Sequence, residues 1–81
     1  MESRVAVISI IVADTEAAEK INLLLHDYGK YIIGRMGLPY KEKSMNIICI
    51  AMDAPRDIIN ALTGAIGRIP AVEAKVVCAK Q

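Results

Sequence analysis

The sequence predicts an α+β domain in which a four-stranded antiparallel sheet carries two helices on one face. Its segments follow the order strand, helix, strand, strand, helix, strand, and 81 residues leave room for one domain, spanning residues 1–81. Hydrophobic residues make up 54% of the chain, although Phe and Trp are absent. Because a chain of this size exposes much of its surface, this apolar fraction predicts association, most simply with a second copy.

The first strand and the first helix follow from residue type and spacing. Residues 4–12 form a short segment rich in β-branched side chains, which favours a strand over a helix. Asp14 then offers a carboxylate that can cap a helix, and apolar residues recur every three or four positions over residues 15–28. Gly29 is a typical helix end. We therefore expect a strand, a short turn and an amphipathic helix.

The rest of the chain adds two strands, a helix and a last strand. Residues 31–38 and 45–52 predict strands joined by a polar turn at residues 41–44. Pro55 favours the first turn of a second helix, where its missing N–H costs least, and residues 72–80 predict the last strand. Two such split βαβ units give the ferredoxin-like βαββαβ fold, in which right-handed crossovers place the first and third strands at the centre.

Both faces of the two central strands are apolar. An antiparallel sheet with one wet face normally alternates apolar and polar side chains, and neither central strand does so. The face without helices should therefore be covered by another chain, through a sheet-to-sheet or edge-to-edge contact in a homodimer or higher oligomer. The residues assigned to this interface are Val5, Val7, Ile11, Ile47, Ile48 and Ile50.

Composition and charge exclude several classes of protein. The formal net charge is +1, from ten basic and nine acidic side chains, which gives little support to nucleic-acid binding by a single domain. No apolar run approaches the roughly 20 residues of a membrane-spanning helix. The N-terminal residues do not resemble a secretory leader, so we expect a cytoplasmic protein with reduced thiols.

No catalytic arrangement is visible, so we expect neither enzymatic activity nor a cofactor. A nucleophile–histidine pair needs an orienting third group, but His26 faces away from the apolar side of its helix, and Cys49 and Cys78 lie in strands as core thiols. His26 alone falls short of a metal site unless subunits share it. An acylphosphatase-like enzyme would need an arginine-bearing anion loop after the first strand, whereas residues 12–16 are acidic.

The most unusual segment is Gly34-Arg35-Met36-Gly37 in the second strand. Two glycines weaken a strand unless a bulge, a close backbone approach or a ligand requires them. Arg35 either presents its guanidinium to a carboxylate or phosphate, or serves as a charge that protects an edge strand from aggregation. Asp14 is open to two similar interpretations, a helix cap or a ligand-binding group in the turn after the first strand.

Two segments resemble the iron-only hydrogenase system regulator family: residues 34–40, GRMGLPY, and residues 62–72, LTGAIGRIPAV, followed by Lys75. Ala71 stands where the family usually has glycine. The resemblance implies an ACT-like fold, similar to the C-terminal effector domain of the nickel-responsive repressor. The repressor's several-histidine ligand set has no counterpart here, since His26 is the only histidine, and its ribbon-helix-helix DNA-binding segment has none either.

The resemblance implies a regulator, called a transcriptional regulator in this family, of the [FeFe]-hydrogenase system. We expect a homo-oligomeric module that binds a small effector or a hydrogenase-system protein. The alternative is direct DNA binding through a basic surface pooled by the oligomer. The residues assigned to an effector site near the subunit interface are Asp14, Gly34, Arg35, Met36 and Gly37.

Overall fold

Four strands and two helices follow one another in the predicted order. The structure is a computed structural model that describes residues 2–80. Its elements are β1 (Arg4–Val12), α1 (Thr15–Asp27), β2 (Ile32–Tyr40), β3 (Met45–Ala54), α2 (Arg56–Gly67) and β4 (Val72–Cys78), with 3-10 turns at Gly29–Tyr31 and Lys41–Lys43. The predicted βαββαβ fold is confirmed.

The sheet has the strand order β2-β3-β1-β4, and every neighbouring pair is antiparallel. The prediction that the first and third strands are central is therefore confirmed. β2 extends two residues beyond the predicted end at Leu38, because Pro39 sits in an edge strand, where a missing N–H is tolerated. The pairing of β2 with β3 shifts register between Ile32 and Gly34, and a bulge is one of the explanations that the sequence left open for the glycines of this strand.

The two helices begin differently. Asp14 caps α1, since its Oδ1 accepts a hydrogen bond from the Glu16 backbone N–H at 3.2 Å. α2 has Pro55 at its N-cap position and no side-chain cap, because proline carries no side-chain acceptor. Pro55 thus precedes the first turn of the helix, and its carbonyl accepts the Ile58 N–H at 3.0 Å.

The core lies between the sheet and the two helices. Its buried side chains come from alternate positions of β1 and β3 and from one side of each helix: Ala6, Ile8, Ile10, Val12, Ala17, Ile21, Leu25, Ile48, Ile50, Met52, Ala54, Ile59, Leu62 and Ile66. Ile50 pairs in register with Ile8, and Ile48 with Ile10. The assignment of Ile48 and Ile50 to an intermolecular interface is therefore wrong, because helices already cover that row of β3.

The two cysteines are also less buried than expected. Cys49 is half-buried and Cys78 is exposed, and both are free thiols. Cys49 pairs with Ser9 on the side of the sheet away from the helices, and Cys78 lies at the end of an edge strand. The prediction of core thiols is wrong for both residues: Cys49 lies on the strand face away from the helices, and Cys78, although it pairs with buried Ala6, is exposed at the end of its strand.

Ala71 occupies a backbone conformation that disfavours alanine. Its φ is 67°, in the left-handed region, and its carbonyl accepts the Ala13 N–H at 3.0 Å. We expect Ala71→Gly to raise the free energy of unfolding by about 1 kcal/mol, because glycine adopts this conformation without a Cβ clash. For a domain of this size the melting temperature should rise by roughly 4–8 °C.

Thermal denaturation followed by circular dichroism measures this effect. The matched control is Ala61→Gly, at an exposed position inside α2. That variant should lose about 1 kcal/mol, since glycine weakens a helix interior. Equal melting temperatures for the two variants would show that Ala71 is unstrained.

Candidate functional site

One side of the sheet is free of helices, and we call it the open face. The pairing register places on it Val5, Val7, Ser9 and Ile11 of β1, Gly34, Met36, Leu38 and Tyr40 of β2, Met45, Ile47, Cys49, Ala51 and Asp53 of β3, and Glu73, Lys75 and Val77 of β4. Most of these residues are apolar. Four of the six residues that the sequence assigned to an interface, Val5, Val7, Ile11 and Ile47, lie here.

Large apolar side chains on the open face are exposed even in its centre. Val7 and Ile11 lie on central β1, and they are 37% and 43% exposed. Between them, Ile8 and Ile10 point to the helix side and are buried, and Ser9 is small. Met36 on edge strand β2 is 55% exposed and Val77 on β4 is 70% exposed. Contiguous apolar surface that joins all four strands of a sheet is typical of an interaction surface.

The open face also carries two opposite charges along one edge. Glu73 pairs in register with Ile11, and Lys75 pairs with Ser9. Both charged side chains are exposed and lie two residues apart on β4, so they point to the same side of the sheet. The face therefore has an apolar centre and a short charged margin, the usual arrangement of a protein interface.

A second feature lies on the helix side, between α1 and the edge strand β2, and we call it the α1–β2 cleft. Its volume is about 210 Å³. It is lined by Ala18 and Asn22 of α1, Arg35, Gly37, Leu38 and Pro39 of β2, and Asn46 and Ile48 of β3. A neighbouring hollow of about 240 Å³ shares Pro39 and Asn46 and continues past Thr15 and Lys41.

The cleft exists because β2, beyond Ile32 at its start, places no large apolar side chain on the helix side. The helix-side positions after Ile32 are Arg35, Gly37 and Pro39, which pair with Ile50, Ile48 and Asn46 of β3. A Cβ atom added at Gly37 would have no other atom within 4 Å. The core is therefore complete over β1 and β3 but open at its β2 margin.

The Arg35 side chain spans this opening. Its Nη2 donates a hydrogen bond to Oδ1 of Asn22 on α1, at 2.7 Å, and the pair is exposed. The guanidinium thus has a neutral amide as partner, across the mouth of the cleft. Arg35 therefore takes part in a contact between a helix and a strand. Neither interpretation drawn from the sequence, an anion-binding group or a charge that protects an edge strand, included this contact.

The five residues assigned to an effector site do not lie together. Arg35 and Gly37 line the α1–β2 cleft, whereas Gly34 and Met36 lie on the open face, because neighbouring residues of a strand point to opposite sides. Asp14 caps α1 and lines neither hollow beside β2. The sequence segment therefore contributes to two different surfaces.

Sequence reasoning missed Asn22 and Asn46. Asn46 occupies a helix-side position of β3, in a row otherwise made of Ile48, Ile50 and Met52, and it is half-buried. A polar residue in an apolar row was the available signal. Asn22 follows Ala18 by one helical turn, so the two lie on the same side of α1, beside its buried residues.

The titratable groups of the described chain form no metal-binding cluster, and one of them has a shifted pKa. Among residues 2–80 no group of three or more His, Cys, Asp or Glu side chains is placed to hold a metal ion. A hydrogen bond to Glu42 raises the pKa of the Tyr40 hydroxyl, and desolvation adds a smaller increase. Tyr40 therefore stays protonated at neutral pH.

Over residues 2–80, neither helix has the length and hydrophobicity of a membrane span.

The match to a known family covers nearly all of the sheet and both helices. A sequence profile of the TM1266-like family, described as "Iron-only hydrogenase system regulator, putative", matches residues 4–76. The chain belongs to this family. The segments on which the resemblance was based, residues 34–40 and 62–72, lie inside the matched range.

Solved structures agree with this membership and with the fold. The protein TM1266 from Thermotoga maritima is similar at 35% sequence identity and a TM-score of 0.93, over 98% of this chain and 100% of that one. Among curated proteins, none matches this chain in sequence.

Two further structures are similar in fold alone. A formyltetrahydrofolate deformylase from Pseudomonas putida KT2440 matches 95% of this chain with 29% of its own, at 6% identity and a TM-score of 0.73. The de novo designed protein Foldit4 matches at 16% identity and a TM-score of 0.60, over 99% of each chain. The likeness to the deformylase confirms the predicted ACT-like arrangement.

Proposed function

We propose that this member of the family is a regulatory module of the iron-only hydrogenase system that acts as a homodimer or higher oligomer joined through the open face. The observation that carries the proposal is the apolar, solvent-exposed sheet surface that the helices leave uncovered. The module would act by binding an effector or a hydrogenase-system protein, and not by catalysis. The free cysteines favour a reducing cytoplasm as its location.

The dimensions of the open face suit a second copy of the chain. Nine-residue strands span about 30 Å, and four strands about 19 Å, so the face covers on the order of 550 Å² in projection before side-chain relief is added. Stable interfaces bury about 800 Å² of accessible surface per partner. A sheet packed face to face on its copy approaches that size, and β-branched side chains suit such packing.

The charged margin supports a two-fold contact in particular. In a two-fold interface a given patch meets itself, so Glu73 of one copy can lie near Lys75 of the second copy, and the reverse. The same chain then supplies both signs of charge, and two ion pairs flank an apolar centre.

Charge exchange on β4 tests this arrangement. We expect Glu73→Lys or Lys75→Glu alone to weaken self-association by about tenfold at low salt, since each places like charges together. The double variant Glu73→Lys/Lys75→Glu should restore the wild-type dissociation constant, measured by sedimentation equilibrium. High salt should reduce the difference. Unchanged association of both single variants would place this margin outside the contact, and failure of the double variant to recover would show that Glu73 and Lys75 do not pair across it.

The regulatory role is tested in the native host. In a strain lacking the chromosomal copy, hydrogenase activity and hydrogenase transcripts are measured after complementation with the wild type, with Val7→Glu on the open face, or with Leu23→Glu on the exposed side of α1. The proposal expects Val7→Glu to fail and Leu23→Glu to succeed. Unchanged activity and transcripts in the deletion strain would contradict a regulatory role.

Direct DNA binding remains the alternative mechanism. Ten basic side chains are nearly balanced by nine acidic ones, so an oligomer would have to segregate them to form a basic surface. Binding to the hydrogenase promoter that falls steeply with salt would favour the alternative. Transcript changes without such binding would favour action through an effector or a protein partner.

A further inference from the structure

We infer that the α1–β2 cleft binds a small monocarboxylate, with the Arg35 guanidinium as the partner of its carboxylate group. The inference deepens the proposed function, because it rests on the module having an effector and names the effector's chemical class. It does not depend on the open face, which lies on the other side of the sheet.

The first support is that the cleft is unfilled space at a place where the fold would ordinarily pack side chains. Between α1 and β2, Gly37 contributes no side chain and Ala18 contributes only a methyl group. A volume of about 210 Å³ equals the space of about seven water molecules. That volume suits a ligand of a few carbons.

The second support is a set of polar groups placed on the helix side of the sheet. Arg35 and Asn46 occupy positions whose counterparts along β1 and β3 are buried aliphatic residues. Asn22 completes the set from α1. Asn46 is half-buried and Arg35 is exposed at the edge of the sheet, so both polar groups are accessible to a ligand in the cleft.

The third support is the bonding capacity left in these groups. A guanidinium has five N–H donors, and the structure gives Arg35 one side-chain partner, the neutral Asn22 amide at 2.7 Å. Two parallel donors of Arg35 can hold a carboxylate in a fork. The amides of Asn22 and Asn46 can then bind a hydroxyl or carbonyl on the ligand, and Pro39 and Ile48 contact its carbon chain.

The charge of the lining selects a monoanion. Arg35 is the single charged residue among those that line the cleft, and no acidic side chain lines it. One carboxylate neutralises one guanidinium. A phosphate dianion would keep an uncompensated negative charge against amides and aliphatic walls, so it should bind more weakly.

Nuclear magnetic resonance of the ¹⁵N-labelled protein tests the inference. Acetate, propionate and lactate are titrated, with acetamide, propionamide and lactamide as neutral matches and inorganic phosphate as the competing anion. The carboxylates should cause saturable shifts of the Arg35 Nε–H, the Gly37 amide and the Asn22 and Asn46 side-chain amides. The neutral amides should not, and phosphate should bind more weakly.

Three variants make the assignment specific. Arg35→Gln should weaken carboxylate binding about tenfold or more, because a charge-assisted hydrogen bond is lost. Arg56→Gln, which removes one positive charge at the start of α2, should bind as the wild type does. Gly37→Val should abolish binding by filling the cleft while the protein stays folded, since a Cβ there meets no atom within 4 Å.

The outcomes separate this inference from the proposed function. Absence of saturable shifts for every carboxylate, equal affinity for phosphate, or unchanged binding by Arg35→Gln would each overturn the carboxylate site. Light scattering on the same samples reports self-association separately. Self-association without carboxylate binding would overturn the cleft inference alone, whereas carboxylate binding by a monomer would overturn the oligomer and leave the cleft.

Discussion

Replacing Val7 by glutamate should convert the protein into a monomer of 8.8 kDa. Val7 lies on central β1, in register with Ala51 of β3 and Val77 of β4, so it occupies the middle of the open face. A carboxylate buried there without a partner costs several kcal/mol. A cost of about 3 kcal/mol corresponds to a rise of at least a hundredfold in the dissociation constant. Sedimentation velocity at micromolar protein concentration measures the change.

The matched control for this variant is Leu23→Glu. Leu23 is 71% exposed and lies on α1, on the opposite side of the molecule from the open face. Both variants exchange an exposed aliphatic residue for glutamate, so both add one negative charge and remove similar apolar surface. Leu23→Glu should keep the wild-type mass. If Leu23→Glu dissociated the oligomer and Val7→Glu did not, the interface would lie on the helix side of the molecule and not on the open face.

Ile50→Ala should destabilise the folded chain far more than Ile47→Ala, although the two residues belong to the same strand. Ile50 is fully buried beneath the helices, whereas Ile47 is 36% exposed on the open face. Truncating a buried isoleucine costs about 2–5 kcal/mol through lost burial and a residual cavity. That cost is a large part of the 5–15 kcal/mol by which domains are typically stable. Ile47→Ala should cost about 1 kcal/mol or less in a monomer.

Urea denaturation in the Val7→Glu background measures both costs without a contribution from self-association. In the otherwise wild-type chain, Ile47→Ala should also weaken the dimer, and its apparent stability should then depend on protein concentration. Equal destabilisation by the two truncations in the monomeric background would contradict the assignment of these residues to opposite faces of β3.

The fold could be predicted because local signals agreed with one another. Strand-length apolar runs, the Asp14 cap and the helical spacing after it each favoured the element that the structure shows. The choice between the faces of β3 could not be predicted in the same way. Both rows are apolar, so alternation alone did not separate Ile48 and Ile50, which face the helices, from Ile47. The charges of β4, in register with β1, distinguish the rows only once strand pairing is known.

The sequence indicated only some of the residues that line the α1–β2 cleft. Arg35 and Gly37 drew attention because they are unusual in a strand, but Asn22 and Asn46 come from other elements. The hydrogen bond between Arg35 and Asn22 joins residues 13 positions apart, and it depends on how α1 lies across the sheet. Spacing along the chain does not predict such a contact. Asn46 could have been identified from sequence, because it is a polar residue in an otherwise apolar row of its strand.

The mass of the wild-type protein in solution shows directly whether a second copy covers the open face. Multi-angle light scattering of the full chain over micromolar concentrations should give at least twice the 8.8 kDa chain mass. The mass should fall towards that of one chain on dilution. A constant mass of 8.8 kDa throughout this range would mean that no second copy covers the open face, and it would contradict the proposed oligomer.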